Sequence, residues 1–537
     1  MAASVSSAAG IFVLAGVNNC TRPGCTKRCC GYLPGQFFCS PTLFSNFTKT
    51  MHKTFRMKRL IALLPLFLLF SLYQLRADGG GYKIRVKLDN YAEKQLILGF
   101  YYGEKPYVKD TMEIGADGYF TFQADTLLPC GVYLLVLKTD NSFIQFLLPE
   151  HDQDLTIVTD AKQSVEKMSI KGSDDNTVFY DYLQYLARLR PVADTIRAQL
   201  ERRKSNPADS VKFIAQLADI DQEVKKYQAN LLVKHPGSMT AKIVKSSTEP
   251  EIPAFKGDDK AVLLQKRDWY RLHFFDNLDI ADPCMLRSPV LHSRIEQFVT
   301  KFTVQHPDSI SRSVDFVLGK LKNNSENYKY YLIHFLNYYA KSNLVGMDGV
   351  YVHIAKEYYC KGQAMWSRKE DLEKICDNAQ RLEPILIGKT APNITVLNQK
   401  NEPASLWDVD ADYTVLFFWD PECSHCKKSA PFLVDFAKKY RERGVKVFAV
   451  CTAVTDKAPD CWKSIEEKGF TDFLFLNTYD PYIKSRYKTI YDVKTTPQIF
   501  ILDRKHEILM KRIAAEQLDK VMEDVIRFQE ERKKQGK

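Results

Sequence analysis

The sequence predicts a multidomain chain in which an all-β sandwich is followed by an all-α helical domain and then by an α/β domain. Three observations support this prediction. The chain has 537 residues, more than a single hydrophobic core usually holds. The period of its apolar residues changes from about 2 to about 3.6 near residue 173, and it changes again after Pro384. We therefore expect folded domains at 78–172, 173–385 and 386–537.

The positive charge of the chain is concentrated ahead of these domains. The net charge is +11, but residues 1–77 contain nine lysines or arginines and no acidic residue. The rest of the chain has 67 basic and 65 acidic residues. This balance gives no electrostatic reason to expect a nucleic-acid partner.

Residues 57–77 have the layout of a secretory signal peptide. A basic start at Met57 precedes about thirteen apolar residues and a small residue at Ala77, after which we expect cleavage. The apolar run is shorter than the roughly 20 residues of a spanning helix. An uncleaved anchor, which would associate the protein with a membrane, is the alternative. We therefore predict export to the periplasm or cell envelope, and we interpret residues 1–56 as an over-extended start or a presequence.

The all-β sandwich is predicted from six short runs rich in β-branched and aromatic residues. Asp117–Gly118 lies between two apolar runs, and an Asp-Gly pair in that position predicts a hairpin. Nothing in this region has a catalytic pattern. The runs begin at Tyr82, Gln95, Gly118, Gly131, Ser142 and Asp154.

From Asn176 to about Leu382, apolar residues recur at helical spacing with many charges between them. His353 has no ligand partner one turn away, so we interpret it as a histidine with ordinary structural contacts. Three isolated cysteines are expected to be buried thiols, with an accessory disulfide as the alternative in an exported protein. These cysteines are Cys284, Cys360 and Cys376.

Alternating strands and helices after residue 386 predict an α/β layer with a mixed sheet. The run TVLFFW at 414–419 is continuously apolar, as expected for a strand buried on both faces. An amphipathic helix follows and ends at Gly444. The next buried strand contains Cys451, which we expect to be a core thiol, with a disulfide to Cys461 as the alternative.

Cys423 and Cys426, in the stretch WDPECSHCKKSAP, are the candidate catalytic residues. They lie where the buried strand ends and the helix begins, and the partial positive charge of a helix N-terminus stabilises a thiolate. Such placement lowers the pKa of the first thiol toward ~3.5–7.5, so Cys423 can attack a disulfide near neutral pH. Cys426 would then resolve the mixed disulfide without any cofactor. His425 between them is either redox-modulating, through a hydrogen bond or charge near the first sulfur, or simply an exposed residue at the helix start.

Residues 386–530 resemble the thioredoxin-like thiol–disulfide oxidoreductases of bacterial cell envelopes, the TlpA/ResA group of the alkyl-hydroperoxide-reductase/thiol-specific-antioxidant superfamily. The resemblance rests on the stretches GKTAPNITVLNQ, VLFFWDPECSHCKKSAP and KTTPQIFILD. It implies a thioredoxin-like fold with Cys423 as nucleophile and Cys426 as resolving thiol. It also implies a substrate loop at Thr496 and Pro497, with the proline in the cis form. The upstream regions resemble amino-terminal domains of unassigned function in envelope proteins.

The sequence departs from this family at the positions that usually assist the resolving thiol. Phe417 stands where thioredoxin has a buried aspartate, and Ser429 stands where TlpA/ResA-like members often have a glutamate. These departures bear on the speed and direction of exchange. Asp420 occupies the position where a peroxidatic motif needs threonine, which argues against a peroxidase.

The sequence therefore predicts an exported thiol–disulfide oxidoreductase. Its partners would be client proteins bearing thiols or disulfides and an upstream redox donor or acceptor. Two alternatives stay open. One is a copper-delivery protein on the same fold, which would use soft ligands such as Cys423, Cys426 and His425. The other is a non-catalytic envelope scaffold in which 78–385 is the working part and the dithiol is a structural disulfide.

Overall fold

The computed structural model describes residues 80–203, 205–322, 324–472 and 474–534. The expected presequence (1–56) and signal segment (57–77) lie outside the described residues. The chain divides into two compact units, one ending at Glu249 and including Arg287–Pro289, the other made of Pro250–Leu286 and Val290–Lys537. The first unit thus contains the strands and the first helices, and the second contains the later helices and the α/β region, while the expected domain limits stay predictions.

Two four-stranded sheets form the β part of the first unit, as the alternating runs predict. Their strand orders are β4-β1-β7-β8 and β3-β2-β5-β6. Side chains from both sheets meet in one hydrophobic core, where Ile84, Leu98 and Phe146 are fully buried. The strands are β1 (Tyr82–Asp89), β2 (Gln95–Tyr102), β3 (Lys105–Glu113), β4 (Phe120–Ala124), β5 (Gly131–Val136), β6 (Phe143–Leu148), β7 (Asp154–Asp160) and β8 (Ser169–Lys171).

Two features of these sheets differ from the sequence prediction. Gly118 turns the chain with a φ of 76°, and Ile114 bridges Phe120, but the flanking strands then enter different sheets. The predicted hairpin is therefore limited to that bridge. Strand β3 was not predicted, because most of its residues are exposed and its polar sequence has no apolar alternation.

Among its described residues the first unit also contains three helices, and polar side chains fix where they begin. The amide of Asn176 is buried and exchanges two hydrogen bonds with the backbone of Leu147, at 2.8 and 2.6 Å, so the first helix starts against β6. The carboxylate of Asp175 accepts from the N–H groups of Met239 and Thr240, at the positive end of the third helix. The helices are α1 (Asp174–Arg202), α2 (Pro207–Lys234) and α3 (Met239–Ser246).

The helical part of the second unit contains six helices within its described residues. His353 Nε2 lies 2.8 Å from Asp315 Oδ1, which confirms that this histidine has ordinary structural contacts. The helices are α4 (Asp259–His273), α5 (Pro289–Thr300), α6 (Pro307–Leu321), α7 (Ser325–Ala340), α8 (Asp348–Ile354), which continues as a π-helical turn (Ala355–Tyr359), and α9 (Lys369–Leu382).

The expectation that the cysteines of the helical region are thiols is wrong. Cys360 follows the π-helical turn and forms a disulfide with Cys376 of α9. Their Cα atoms are 5.8 Å apart, within the range that a disulfide needs. Cys284 is disulfide-bonded as well. Sixteen residues separate Cys360 from Cys376, so only the folding of α9 onto the preceding turn brings them together.

A seven-stranded mixed sheet forms the rest of the second unit and confirms the predicted α/β layer. Its order is β10-β9-β13-β12-β11-β14-β15. The central strand β11 pairs in parallel with β12 and antiparallel with β14. The strands are β9 (Thr395–Leu397), β10 (Pro403–Ser405), β11 (Tyr413–Trp419), β12 (Val445–Cys451), β13 (Phe475–Tyr479), β14 (Gln498–Asp503) and β15 (Ile508–Lys511); the helices are α10 (Ser424–Tyr440), α11 (Asp460–Lys468), α12 (Tyr487–Ile490) and α13 (Leu518–Lys534).

Cys451 is not the plain core thiol that the sequence suggests. It is the last residue of β12 and forms a disulfide with Cys461, at the start of α11, with a Cα separation of 6.1 Å. Both cysteines are fully buried in the core that also contains Trp419 and Cys426. The disulfide therefore fixes the start of α11 next to the end of the central strands.

Within the described ranges, no helix combines the length and apolar character that a bilayer crossing requires.

Candidate active site

Cys423 lies at the N-terminus of α10, four residues after the end of β11. Its extended backbone, with φ −66° and ψ 120°, makes it the N-cap of the helix. The Sγ atom of Cys423 accepts a hydrogen bond from the N–H of Cys426 at 3.4 Å. A sulfur in this position faces the unpaired N–H groups of the first helical turn, which favour negative charge.

The two cysteines differ in their access to solvent although both are free thiols. Cys423 is partly exposed, whereas Cys426 is only 1% exposed and belongs to the hydrophobic core below the helix. Only Cys423 can therefore meet a sulfur of another protein without a rearrangement of the fold.

The register of the sheet brings Thr496 and Pro497 to the dithiol. Phe418 pairs with Gln498, so the loop before β14 arrives at the end of β11, where Cys423 follows. The Thr496–Pro497 peptide bond is cis. The S–H of Cys423 donates to the carbonyl oxygen of Thr496 at 3.2 Å, although the two residues are far apart in the sequence.

The surroundings move the pKa values of the two thiols in opposite directions. Partial burial raises the pKa of Cys423, but hydrogen bonds from the N–H of Cys426 and with the side chain of Thr496 lower it more, so the net pKa lies below that of an ordinary thiol. The carbonyl of Thr496 acts the other way, because an acceptor favours the protonated thiol. Burial raises the pKa of Cys426 to about 12. The accessible sulfur therefore loses its proton at a lower pH than the buried one.

His425 contributes to the site through its backbone and not only through its side chain. Its N–H is one of the groups that lower the pKa of Cys423. The imidazole is exposed and lines a cavity of about 660 Å³ together with Pro497. The imidazole thus lies on the wall of the cavity beside the dithiol.

This cavity beside the dithiol has a charged lining that the sequence did not reveal. Asp492 is 7% exposed, and its Oδ2 lies 3.2 Å from Lys494 Nζ and 3.5 Å from a terminal nitrogen of Arg512. Lys428 of α10 adds another cation at the same cavity. These residues come from three separate segments. Lys428 and Lys494 lie in stretches that carry the resemblance, whereas no local motif indicates Asp492 and Arg512. The other lining residues are Ser429, Thr495, Gln498, Ile513, Ala514, Ala515 and Glu516.

The two positions that hold acidic assistants in related folds are buried and carry no acid here. Phe417 is fully buried in the core, and Ser429 is 4% exposed. Two other charged groups lie near the buried thiol. The N–H of Asp420 lowers the pKa of Cys426, and the carboxylate of Asp420 accepts from the N–H of Glu422 at 2.9 Å.

The second charged group is Lys468, on the last turn of α11. Its Nζ lies 5.6 Å from the centre of the Trp419 ring, at the end of β11. Burial lowers the pKa of this ammonium, whereas negative charge on Cys426 and Asp420 raises it. Sequence reasoning missed Lys468 because it follows Cys426 by some forty residues and belongs to a different helix.

Comparison with known proteins places the dithiol in a recognised family. Residues 387–510 match the AhpC/TSA family model. Residues 82–179 and 215–383 match two domains of unknown function, DUF4369 and DUF5106. The thiol-disulfide oxidoreductase ResA of Bacillus thuringiensis is 28% identical over 147 residues, which cover 27% of this chain and 79% of that protein. ResA of Geobacillus kaustophilus is 26% identical over 124 residues, which cover 23% of this chain and 67% of that protein.

One solved structure is also similar to part of this chain. A domain of a possible thiol-disulfide isomerase from Cytophaga hutchinsonii is 34% identical, with 28% of this chain and 97% of that chain covered and a TM-score of 0.25.

Proposed function

Because the chain belongs, through its carboxyl-terminal domain, to the TlpA/ResA-like thiol–disulfide oxidoreductases of the AhpC/TSA family, we propose that it exchanges disulfides with client proteins through Cys423 and Cys426. One observation carries this proposal. The partly exposed thiol of Cys423, whose pKa is lowered, lies at a helix N-terminus and accepts a hydrogen bond from the backbone N–H of Cys426, whose own thiol is buried. That asymmetry fits one attacking and one resolving sulfur.

In the first step the thiolate of Cys423 attacks a client disulfide. A bond forms between Cys423 Sγ and one client sulfur, the client disulfide breaks, and the second client sulfur leaves as a thiolate that takes up a proton. The N–H groups of His425 and Cys426 hold the attacking thiolate. The loop at Thr496 and Pro497 lies beside it and would receive the client backbone.

In the second step Cys426 resolves the mixed disulfide. Cys426 loses its proton and attacks Cys423 Sγ, which releases the second client thiol and leaves a Cys423–Cys426 disulfide. The client is thereby reduced by two electrons and the dithiol is oxidised. An external redox partner would restore the dithiol, and the reverse sequence would oxidise a client. The reduction potential of the pair decides which direction dominates.

We also propose that exchange occurs outside the cytoplasm, in the periplasm or cell envelope. Residues 57–77 have the features of a signal peptide. The disulfides Cys360–Cys376 and Cys451–Cys461 are typical of proteins that fold in an oxidising compartment. The retention of residues 57–77 as a membrane anchor stays a second form of this proposal.

A trapping experiment tests the proposed roles. Cys426→Ser should accumulate client proteins in mixed disulfides with Cys423, because the resolving sulfur is missing, whereas Cys423→Ser should trap none. Cys360→Ser/Cys376→Ser is the matched control, since it removes two other cysteines of the same unit and should leave trapping unchanged. Equal trapping by both active-site variants would contradict the assignment of the nucleophile.

A redox titration against glutathione tests the exchange itself. Mass spectrometry of alkylated peptides would follow Cys423 and Cys426 separately from the other disulfides. We expect a reversible couple between roughly −120 and −270 mV, the range of exchange enzymes. A pair that stays oxidised well below about −300 mV would favour a structural disulfide and the scaffold alternative. Copper binding by the reduced pair without any exchange would favour the metal-delivery alternative, which the comparisons do not favour.

A further inference from the structure

A cavity in the helical part of the second unit is lined by three arginines. It has a volume of about 440 Å³, and α4, α5, α6 and the segment 301–306 form its walls. This volume lies within the range of cavities that hold small molecules. We call it the arginine cavity. Its lining residues are Arg267, Asp268, Arg271, Leu272, Phe298, Phe302, Val304, Ser309, Arg312, Ser313 and Phe316.

The charges of the arginine cavity are not balanced. Among its described lining residues, Asp268 is the one carboxylate, and it pairs with Arg267 at 2.8 Å. Arg271 and Arg312 have no carboxylate partner within the part of the chain that the structure describes. Three guanidinium groups against one carboxylate leave two positive charges at the cavity. Burial lowers the pKa of Arg271 most, and repulsion from Arg267 and Arg312 lowers it further, whereas the carboxylate of Asp268 partly opposes the shift.

Arg271 is held in place by groups that leave part of its donor set unused. Its guanidinium donates to the carbonyl oxygen of Phe302 and, at 3.1 Å, to the hydroxyl of Ser313. Ser313 is buried and also bonds the hydroxyl of Thr303 at 2.8 Å. A guanidinium has five N–H donors, so donors remain for an oxyanion. Arg312 is exposed and contacts only the hydroxyl of Ser309, at 3.3 Å, in the described structure.

The rest of the lining is apolar. The guanidinium carbon of Arg271 lies 5.5 Å from the ring centre of Phe298, which packs against Phe316 with ring centres 5.5 Å apart. At the rim, Leu272 and Val304 are 61% and 62% exposed. Exposed apolar side chains beside an uncompensated positive charge favour an occupant that has an apolar body and a negatively charged group.

We propose that the arginine cavity binds a small amphipathic anion. A carboxylate or phosphate group would be held by Arg271 and Arg312, and an aromatic or aliphatic body would lie on Phe298 and Phe316. The fork of an arginine fits either oxyanion, so these two groups are the shared chemistry of the ligand. The site lies apart from the dithiol and gives the helical region a binding role that does not depend on disulfide exchange.

Calorimetric titration of the full chain tests this proposal with three small probes. Phenyl phosphate and phenylacetate carry the two anionic groups, and 2-phenylethanol is an uncharged body of similar size. We expect at least one anion to bind at one site per chain, with 2-phenylethanol at least about tenfold weaker, because it cannot receive charge-assisted hydrogen bonds. Binding of phenyl phosphate alone identifies a phosphorylated ligand class, and binding of phenylacetate alone identifies a carboxylate class.

Two variants locate the binding. Arg312→Gln removes a guanidinium whose one described contact is a serine hydroxyl, so the fold should survive, and affinity should fall about tenfold. Arg271→Gln should weaken binding at least as much. Arg381→Gln is the matched control, because this exposed arginine of α9 contacts only Asn378 in the described structure. The proposal is overturned if neither anion binds, if 2-phenylethanol binds equally well, or if Arg312→Gln and Arg381→Gln behave alike.

Discussion

At the scale of single residues, Cys423 and Cys426 have the same chemistry and different environments. The N–H groups of the first helical turn lower the pKa of the exposed thiol, and burial raises that of the other. Two sulfurs that are three residues apart thus differ in access and in acidity, as the proposed attacking and resolving roles require.

The difference in pKa predicts a pH profile for alkylation. Cys423 should react with iodoacetamide with a midpoint below the ~8.5 of a free thiol, because its thiolate persists to lower pH. Cys426 should stay unmodified through pH 9, since it is buried and its pKa is about 12. Mass spectrometry of the alkylated peptides measures both. In urea the midpoint of Cys423 should return to the ordinary value, and a native midpoint at or above that value would contradict this account.

Lys468 provides a second prediction at this scale. Its ammonium lies near the end of β11 and interacts with the charge of Cys426, so it should favour the thiolate that resolves the mixed disulfide. Lys468→Met should slow resolution by up to roughly tenfold, since one pKa unit changes the thiolate fraction tenfold. Stopped-flow measurement of mixed-disulfide decay reports this step. Lys463→Met, on the exposed side of α11 and near Glu467, is the matched control, and equal rates for the two variants would exclude a role for Lys468.

The dithiol could be predicted from the sequence, but the charged residues that reach it from distant segments could not. Cys423 and Cys426 share one local motif at a strand–helix junction, which a single sequence reveals. Lys468 and Arg512 reach the site from other segments, and only the order of the sheet brings them to it. No spacing rule applies to such residues.

At the scale of secondary structure, a buried strand could be predicted and an exposed one could not. The core strand β11 is a continuous apolar run in the sequence, and it is buried over nearly its whole length. The edge strand β3 lacks that signal because most of its side chains face solvent. The disulfides were left as alternatives for a related reason, since pairing depends on how α9 and α11 pack and not on local composition.

A contact between α6 and α8 carries a pH-dependent prediction. The carboxylate of Asp315 lies 2.8 Å from the imidazole of His353 and accepts from Tyr358 at 2.7 Å. The hydrogen bond with Asp315 raises the pKa of His353. Burial raises the pKa of Asp315, but the bonds with His353 and Tyr358 lower it below its ordinary value.

The signs of these shifts define the pH window. The contact that raises the pKa of His353 stabilises the fold fully below pH ~6.5, and this stabilisation is lost as pH rises through the pKa of the folded state. The contacts that lower the pKa of Asp315 stabilise the fold above pH ~3.9. His353→Gln should therefore lower the free energy of unfolding most near pH 5.5 and least at pH 9. The difference between these two losses of unfolding free energy should stay below about 1 kcal/mol, because water screens a partly exposed pair. Urea midpoints at both pH values measure it, with exposed His306→Gln as control. A larger cost at pH 9 would contradict the assignment.

At the scale of the second compact unit, one buried ion pair joins the helices to the mixed sheet. Lys511 of β15 is 1% exposed, and its ammonium contacts the carboxylate of Asp348, the first residue of α8. It also donates to the carbonyl oxygen of Ile385 at 2.7 Å. Burial lowers the pKa of Lys511, and Asp348 opposes that shift. The helical segment and the α/β layer thus share a charged contact that neither can satisfy alone.

Breaking this pair should weaken both regions together. Asp348→Asn leaves a buried ammonium without its counter-charge, and such a loss costs about 3–5 kcal/mol. Lys511→Met/Asp348→Asn should be less destabilised than Asp348→Asn, since no unpaired buried charge remains.

Hydrogen exchange measured by mass spectrometry on the peptides of α8 and β15 provides a local readout for each region. In Asp348→Asn, exchange should accelerate in both elements by a similar factor, and the double variant should restore much of the protection. If α8 alone accelerated, the helices would open independently of the mixed sheet, and the boundary expected near residue 386 would mark a real division of stability. Joint acceleration would instead mean that the dithiol domain depends for its stability on the helices before it.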